Sequence, residues 1–232
     1  MVTKENAPTK RDAQYYYASS DMYQLLGCFM VRTEPEIAQA LCSGALVEDI
    51  TNILSELGLD DKKIKTLTKG LAALAQKEQS ADDLFHAVRK DYTHLFFSPK
   101  FSVSTPYQSR FLGEMKKEGK YEIVIEKTIK NASAAYRKAG FESAIEPKLR
   151  SDHIAVEMEF MQVLRRNQGK AFEDGDSNAY EEIDATAKSF LEELLSKWAI
   201  SLFKEVEEKA NEEAYRFIGA LGVAFFESET MS

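Results

Sequence analysis

The sequence predicts an all-α protein: a compact domain of about nine or ten helices with a hinge loop near its middle. Apolar residues recur at three- and four-residue spacing along most of the chain. Only five prolines and eleven glycines punctuate 232 residues, too few for a fold of many short strands. Capping residues stand where the apolar stripes begin, and glycines where they end.

The elements follow in order. Met22, Leu25, Leu26, Phe29 and Met30 form one helical stripe. Glu34-Pro35 restarts the chain, since proline at a first-turn position loses no helical hydrogen bond. A short helix through Ile37 and Leu41 should stop at Gly44, and a stripe from Leu46 through Ile50, Ile53, Leu54 and Leu57 at Gly58. Asp60 is placed to cap a helix carrying Ile64, Leu67, Leu71 and Leu74. Ser80-x-x-Asp83 resembles a capping box and opens a helix that should bury Phe85, Val88, Tyr92, Leu95 and Phe96.

The pattern breaks at SPKFSVSTPYQS, residues 98–109, whose prolines and hydroxyl residues mark a long loop. The short run YEIVI is compatible with a strand but has no pairing partner in the sequence. Helical spacing returns with Ile125, Ile129, Ala132 and Tyr136, closed by Gly140. A mostly apolar helix follows in RSDHIAVEMEFMQVL. The polar run NQGKAFEDGDSN, residues 167–178, reads as a loop, and the rest as helices containing FLEELLSKW and AYRFIGALGVAFF. The expected organisation is one domain over 1–232, with an N-terminal helical half (12–97), a hinge (98–120) and a C-terminal helical half (121–228).

Composition excludes several classes of function. A net charge of -8 argues against nucleic-acid binding, which draws its affinity from Lys and Arg on phosphates. Two cysteines are too few for a disulfide framework and lack metal spacing. The N-terminus has no apolar core of signal-peptide type, and no run is long enough to span a membrane. A cytoplasmic location is expected, without stable membrane insertion. Asp83-x-x-His86 and Asp91-x-x-His94 have the spacing of di-iron ligand pairs. On one helix, however, they would stand about 12 Å apart, so no metal is expected. Gly119-Lys120 and Gly169-Lys170 lack the remainder of a phosphate-binding loop, and no cofactor is expected.

The opening of RSDHIAVEMEF holds the one concentration of ionisable groups on an apolar helix. Asp152 stands where the helix should start and can cap its first turn. His153 and Glu157, four apart, are neighbours on one face. The residues alone leave three readings open: a cap with a local pair, an acid–base dyad, or part of a recognition surface.

SDHIAVEMEFMQVL resembles the signature of the TorD/DmsD/NarJ chaperones, Pro-Asp-His-Ile followed by Glu-Leu/Met-x-Phe-Met. DYTHLFFSPKFSVSTPYQS is similar to that family's Tyr-x-x-Leu-Phe, loop and Pro-Tyr/Trp-Glu-Ser. FLEELLSKW with AYRFIGAL resembles its Phe-Leu-x-x-His-Leu-x-x-Trp and closing helix. Ser151, Gln108 and Leu194 depart from the family pattern, replacing a proline, a glutamate and a histidine. The resemblance implies an all-helical, non-enzymatic cytoplasmic chaperone, monomeric or dimeric. It would bind the N-terminal twin-arginine leader of an apo molybdopterin-dependent oxidoreductase, assist cofactor insertion and delay export. It implies a leader-binding surface of Asp152, His153, Glu157, Tyr92, Phe96, Pro106, Tyr107 and Ser109, with aromatic walls and carboxylates for the guanidinium groups. A general helical adaptor for an amphipathic partner helix is the alternative. An enzyme using His153 and Glu157 ranks last, because the chain offers no nucleophile or cofactor site beside them.

Overall fold

The computed structural model describes residues 12–32, 34–77, 79–97, 103–115, 121–145 and 147–231. Among these it holds eleven α-helices and no strand. The first five are α1 (Ala13–Phe29), α2 (Pro35–Ser43), α3 (Ala45–Glu56), α4 (Asp61–Ala75) and α5 (Ala81–Tyr92). They begin and end where local chemistry dictates. Asp12, Asp60 and Ser80 each accept a first-turn backbone N–H through the side chain. Gly44, Gly58 and Gly140 stand at helix ends with positive φ, open to glycine without a Cβ penalty.

A π-helical turn, Thr93–Phe97, continues α5. The expected hinge is described only in part, since 98–102 and 116–120, with Gly119-Lys120, lie outside the described residues. Between them runs α6 (Gln108–Met115), followed by α7 (Tyr121–Lys138). YEIVI is therefore the first turns of a helix and not a strand. With no second strand beside it, a strand there would leave its backbone groups unpaired. The Ile125 side chain lies outside the described residues.

The next helix, α8 (Ile154–Asp174), corrects the sequence reading of its second half. Most of the expected polar loop is helix, because nothing between Asn167 and Asp174 breaks one. Gly169 lies in the helix against the Tyr17 ring, where a Cβ would come within 2.9 Å of the tyrosine. The helix stops at Gly175, at φ 68°. Then come α9 (Ser177–Glu193), a 3-10 turn (Leu195–Lys197), α10 (Ala199–Lys209) and α11 (Glu213–Met231).

One apolar core joins the two halves of the chain. α1 lies along α8, and α11 packs on α10 and reaches α4. Asp91 at the end of α5 is buried and accepts the N–H groups of Asn211 and Glu212 (2.8–3.1 Å), capping α11 from across the fold. Tyr136, Phe160 and Phe190 bring α7, α8 and α9 together, with ring centroids 4.8–4.9 Å apart from Phe160. Such edge-on pairs contribute about 0.5–1.5 kcal/mol each beyond their burial. The start of α8 is fixed in the middle of this frame.

Candidate functional site

The site is built where the central loop meets the start of α8. Ser104 N–H donates to the Leu95 carbonyl (3.0 Å), folding the loop back on the π-helical turn. Ile154 N–H donates to the Pro106 carbonyl (2.8 Å) and Gln108 N–H to the Asp152 carbonyl (2.9 Å). These two bonds make an antiparallel bridge between Tyr107 and His153. Residues 46 positions apart in sequence are thus held in a fixed register.

Asp152 is fully buried, and its carboxylate faces the loop rather than its own helix. Arg150 donates to both its oxygens, from Nε to Oδ1 and from a terminal nitrogen to Oδ2, each at 2.9 Å. Ser109 adds its hydroxyl (2.5 Å) and backbone N–H (3.2 Å) to Oδ2. The guanidinium of Arg150 also lies over the Tyr107 ring, 4.4 Å from its centroid. A buried carboxylate, a serine and an aromatic face together make a socket for a planar cation. Here it is filled by a side chain of the same protein, itself about half exposed (48%).

The cap of α8 is His153, not Asp152. His153 Nδ1 accepts the Ala155 N–H at 3.2 Å, which fixes the neutral imidazole protonated on Nε2. Its ring stands edge-on to Tyr107, centroids 4.8 Å apart. Burial lowers its pKa to about 4; Asp152 opposes that shift and Arg150 adds to it. Asp152 does not take the cap because Arg150 and Ser109 offer it charged and hydroxyl donors on the other side.

Glu157 is equally buried and turns to a partner that spacing along one helix does not reveal. The Trp198 indole N–H donates to Glu157 Oε2 at 3.0 Å. Oε1 has no hydrogen-bond partner among the described residues. Desolvation pushes this carboxyl well above the usual range, against the opposing indole bond. The expected His153–Glu157 pairing gives way to a protonation-prone acid bonded to an indole, and the Phe111 ring packs on Trp198 with centroids 5.7 Å apart.

Pro106, Ser109 and Phe96 are buried. Tyr107 and Tyr92 are half-buried, Tyr92 edge-on to Phe96 at 5.5 Å. Desolvation raises the Tyr92 pKa; Tyr107 nearby adds to that rise and Arg32 opposes it. The eight expected residues therefore gather around one loop–helix junction. Tyr92 and Tyr107 are partly exposed, while Asp152, His153, Glu157 and Ser109 are buried.

Two residues of the site escaped the sequence reading. Arg150 was legible only as the basic residue preceding Ser-Asp-His, and Trp198 only as the end of FLEELLSKW. The departures at Gln108 and Leu194 also prove to be neighbours: Gln108 Nε2 donates to the Leu194 carbonyl at 2.8 Å. A glutamate and a histidine are thus missing from one place, replaced together by a neutral amide and an apolar side chain. At Ser151 the hydroxyl does not cap α8 but donates to the Ile129 carbonyl (3.3 Å), tying the junction to α7. No group of three or more His, Cys, Asp or Glu among the described residues is arranged to hold a metal ion. No helix of the described residues is long and apolar enough to cross a membrane.

Comparison with curated proteins gives no match. Residues 57–204, well over half the chain, match the family described as Nitrate reductase delta subunit. That span covers the π-helical turn, the central loop, the junction with α8 and Trp198. The all-α architecture and these matched residues agree with the motifs read above. The chain belongs to the nitrate reductase delta subunit family, the NarJ/TorD type of chaperone.

Proposed function

We propose that the protein is a cytoplasmic chaperone for a molybdopterin-dependent oxidoreductase. It binds the N-terminal twin-arginine leader of the apo precursor, holds it until the cofactor is inserted, and delays its export. Membership of the family supports the chaperone role, and the socket at the loop–helix junction supports the leader as ligand. Asp152, Ser109 and Tyr107 already bind a guanidinium, that of Arg150, by the fork and ring contacts that a leader arginine would use. A leader arginine entering there takes the place of Arg150, so only the difference between two similar contacts adds to affinity. That suits a handover chaperone, with binding near micromolar, about -8 kcal/mol. In this reading Tyr92 and Tyr107 touch the leader, and Asp152 receives the guanidinium. Ser109, His153, Glu157, Pro106 and Phe96 keep the socket in shape.

The test is to purify the tagged protein from host cells that are making molybdoenzymes and identify what accompanies it. Recovery of a molybdopterin oxidoreductase precursor, leader uncleaved and cofactor absent, is expected. Tyr107→Ala should lower that recovery about tenfold, the loss of one good contact, with the helical circular dichroism unchanged. A preparation free of any such precursor removes the reading and leaves an adaptor for some other helix.

A further inference from the structure

Two buried oxygens at the loop–helix junction stand unbonded. Glu157 Oε1 on α8 and Gln108 Oε1 on α6 have no hydrogen-bond partner among the described residues. Both residues are almost without exposure (0% and 2%). Each is fastened by the other atom of its head group to the same short segment. Gln108 Nε2 donates to the Leu194 carbonyl at 2.8 Å, and Glu157 Oε2 accepts from the Trp198 indole at 3.0 Å. Leu194 and Trp198 flank the Leu195–Lys197 turn, and Phe111, on α6 with Gln108, packs on Trp198. α6 and α8 therefore both hold this turn, and each brings a spare oxygen to it.

The two oxygens complement each other only when Glu157 is neutral. As a carboxylate it would be a buried anion with one neutral donor and the Asp152 carboxylate close by, a costly state. As a carboxylic acid it accepts the indole N–H on Oε2 and carries its proton on Oε1. Oε1 is then a donor without an acceptor, and the Gln108 amide oxygen an acceptor without a donor. The surrounding titratable groups are engaged elsewhere. Arg150 holds Asp152 and Ser109, His153 Nδ1 caps α8, and Tyr136 of α7 donates to the Ser151 carbonyl. Tyr23 of α1 donates to Glu229, and Asp184 of α9 accepts from Gln168, both farther along α8. From α6 and the 194–198 segment, Gln108, Phe111 and Trp198 meet this corner as neutral side chains.

We propose that Glu157 is a proton-operated latch on the central loop: its carboxylic acid joins Gln108, directly or through one water, and its ionisation releases α6. On release the proton passes to solvent, and two facing acceptors replace a donor and an acceptor. The closed junction binds the proton and the open one does not, so closure is lost as pH rises. The latch stands on the chemistry of the junction itself, whatever partner the loop meets.

The test uses the full chain, whose single tryptophan is the one bonded to Glu157. Three signals are followed from pH 6 to 9, with circular dichroism as the check on folding. They are Trp198 emission, the carbon-13 shift of the Glu157 carboxyl, and hydrogen exchange at the Gln108 and Ile154 amides, which bond across the junction. The carboxyl should be protonated at neutral pH. As it ionises, the emission should shift and both amides should lose about tenfold in protection beyond the intrinsic effect of pH, the worth of one hydrogen bond. Glu157→Gln keeps the shape and offers N–H in place of O–H, so its profile should stay flat at the closed level. Gln108→Met removes the acceptor and should move the carboxyl's ionisation down by about one pH unit.

A Glu157 carboxylate at neutral pH would overturn the latch. So would a carboxyl that ionises, or stays protonated throughout, while the two amides keep their protection, because its proton then controls nothing. A loss of protection that persists in Glu157→Gln would place the switch on another group. An ionisation unmoved by Gln108→Met, in a variant that still folds, would remove Gln108 as the acceptor and the latch with it.

Discussion

His153 shows how far one residue's role departs from what its type suggests. As a cap with Nδ1 accepting a backbone N–H, it works only when neutral. The sign of its contribution follows from its folded pKa, lowered from 6.5 to about 4. Between those values the unfolded chain binds a proton that the folded chain refuses, so stability falls as pH drops through the window. The full effect is at most about 3 kcal/mol. Glu157 acts with the opposite sign, because its raised pKa makes the folded state bind a proton more readily. His153→Asn keeps a capping oxygen while Glu157 stays in both proteins, so the difference between their profiles isolates the histidine. Urea unfolding from pH 7 to 4 should show a shallower acid loss in the variant, whatever its stability at pH 7. Parallel profiles would mean that His153 is protonated in the fold and that Nδ1 does not accept. The sequence showed the three ionisable residues of this junction but not their partners. Ser109 and Trp198 come from distant parts of the chain and Arg150 from the non-helical residues just before α8, and helical spacing carries no information about any of them.

Helices and their ends were legible because local chemistry decides them. Asp60, Ser80 and Gly44 act where the sequence placed them, each satisfying backbone groups within a few residues. The failures were tertiary. The burial stripe of α5 runs through Leu84, Val88 and Asp91, one residue from the expected Phe85 and Tyr92, because Asp91 must face α11. Residues 167–174 read as polar loop yet stay helical because α1 packs on them through Gly169. Glycine within a helix gives the same contrast between local and tertiary control. Gly70 in α4 has nothing near its absent Cβ, so Gly70→Ala should stabilise by about 1 kcal/mol through helix propensity. Gly219 in α11 faces the backbone of Glu207 in α10 at a distance no Cβ tolerates. There Gly219→Ala should destabilise by about 2 kcal/mol, overpacking outweighing propensity. Thermal melts of the two variants should move in opposite directions. A gain for Gly219→Ala would show that α10 and α11 are not in close contact.

Across the whole molecule, the first and last helices meet at a buried charge pair between α8 and α11. Arg165 donates to Glu229 Oε2 at 2.5 Å, both side chains almost without exposure (4% and 1%). Tyr15 and Tyr23 of α1 donate to the same carboxylate at 2.9 and 3.2 Å. Gln168 accepts from Arg165 and passes the network to Asp184 of α9. Four helices therefore share one polar node inside an apolar core. Such a pair contributes little net stability over an apolar replacement, since desolvating two ions offsets their attraction, but breaking it strands a charge. Arg165→Met or Glu229→Leu alone should each cost about 3–5 kcal/mol. The double variant should fall short of their sum by at least about 2 kcal/mol, retaining a deficit from tyrosine hydroxyls that lose their acceptor. Urea unfolding of the wild type, both single variants and the double variant measures that coupling. Because the node ties both ends of the chain to α8, each single variant should still unfold in one transition, with α1 and α11 losing hydrogen-exchange protection together. Additive costs, or α11 exchanging while α1 stays protected, would show that the two ends are held independently and that the charge pair is not what joins them.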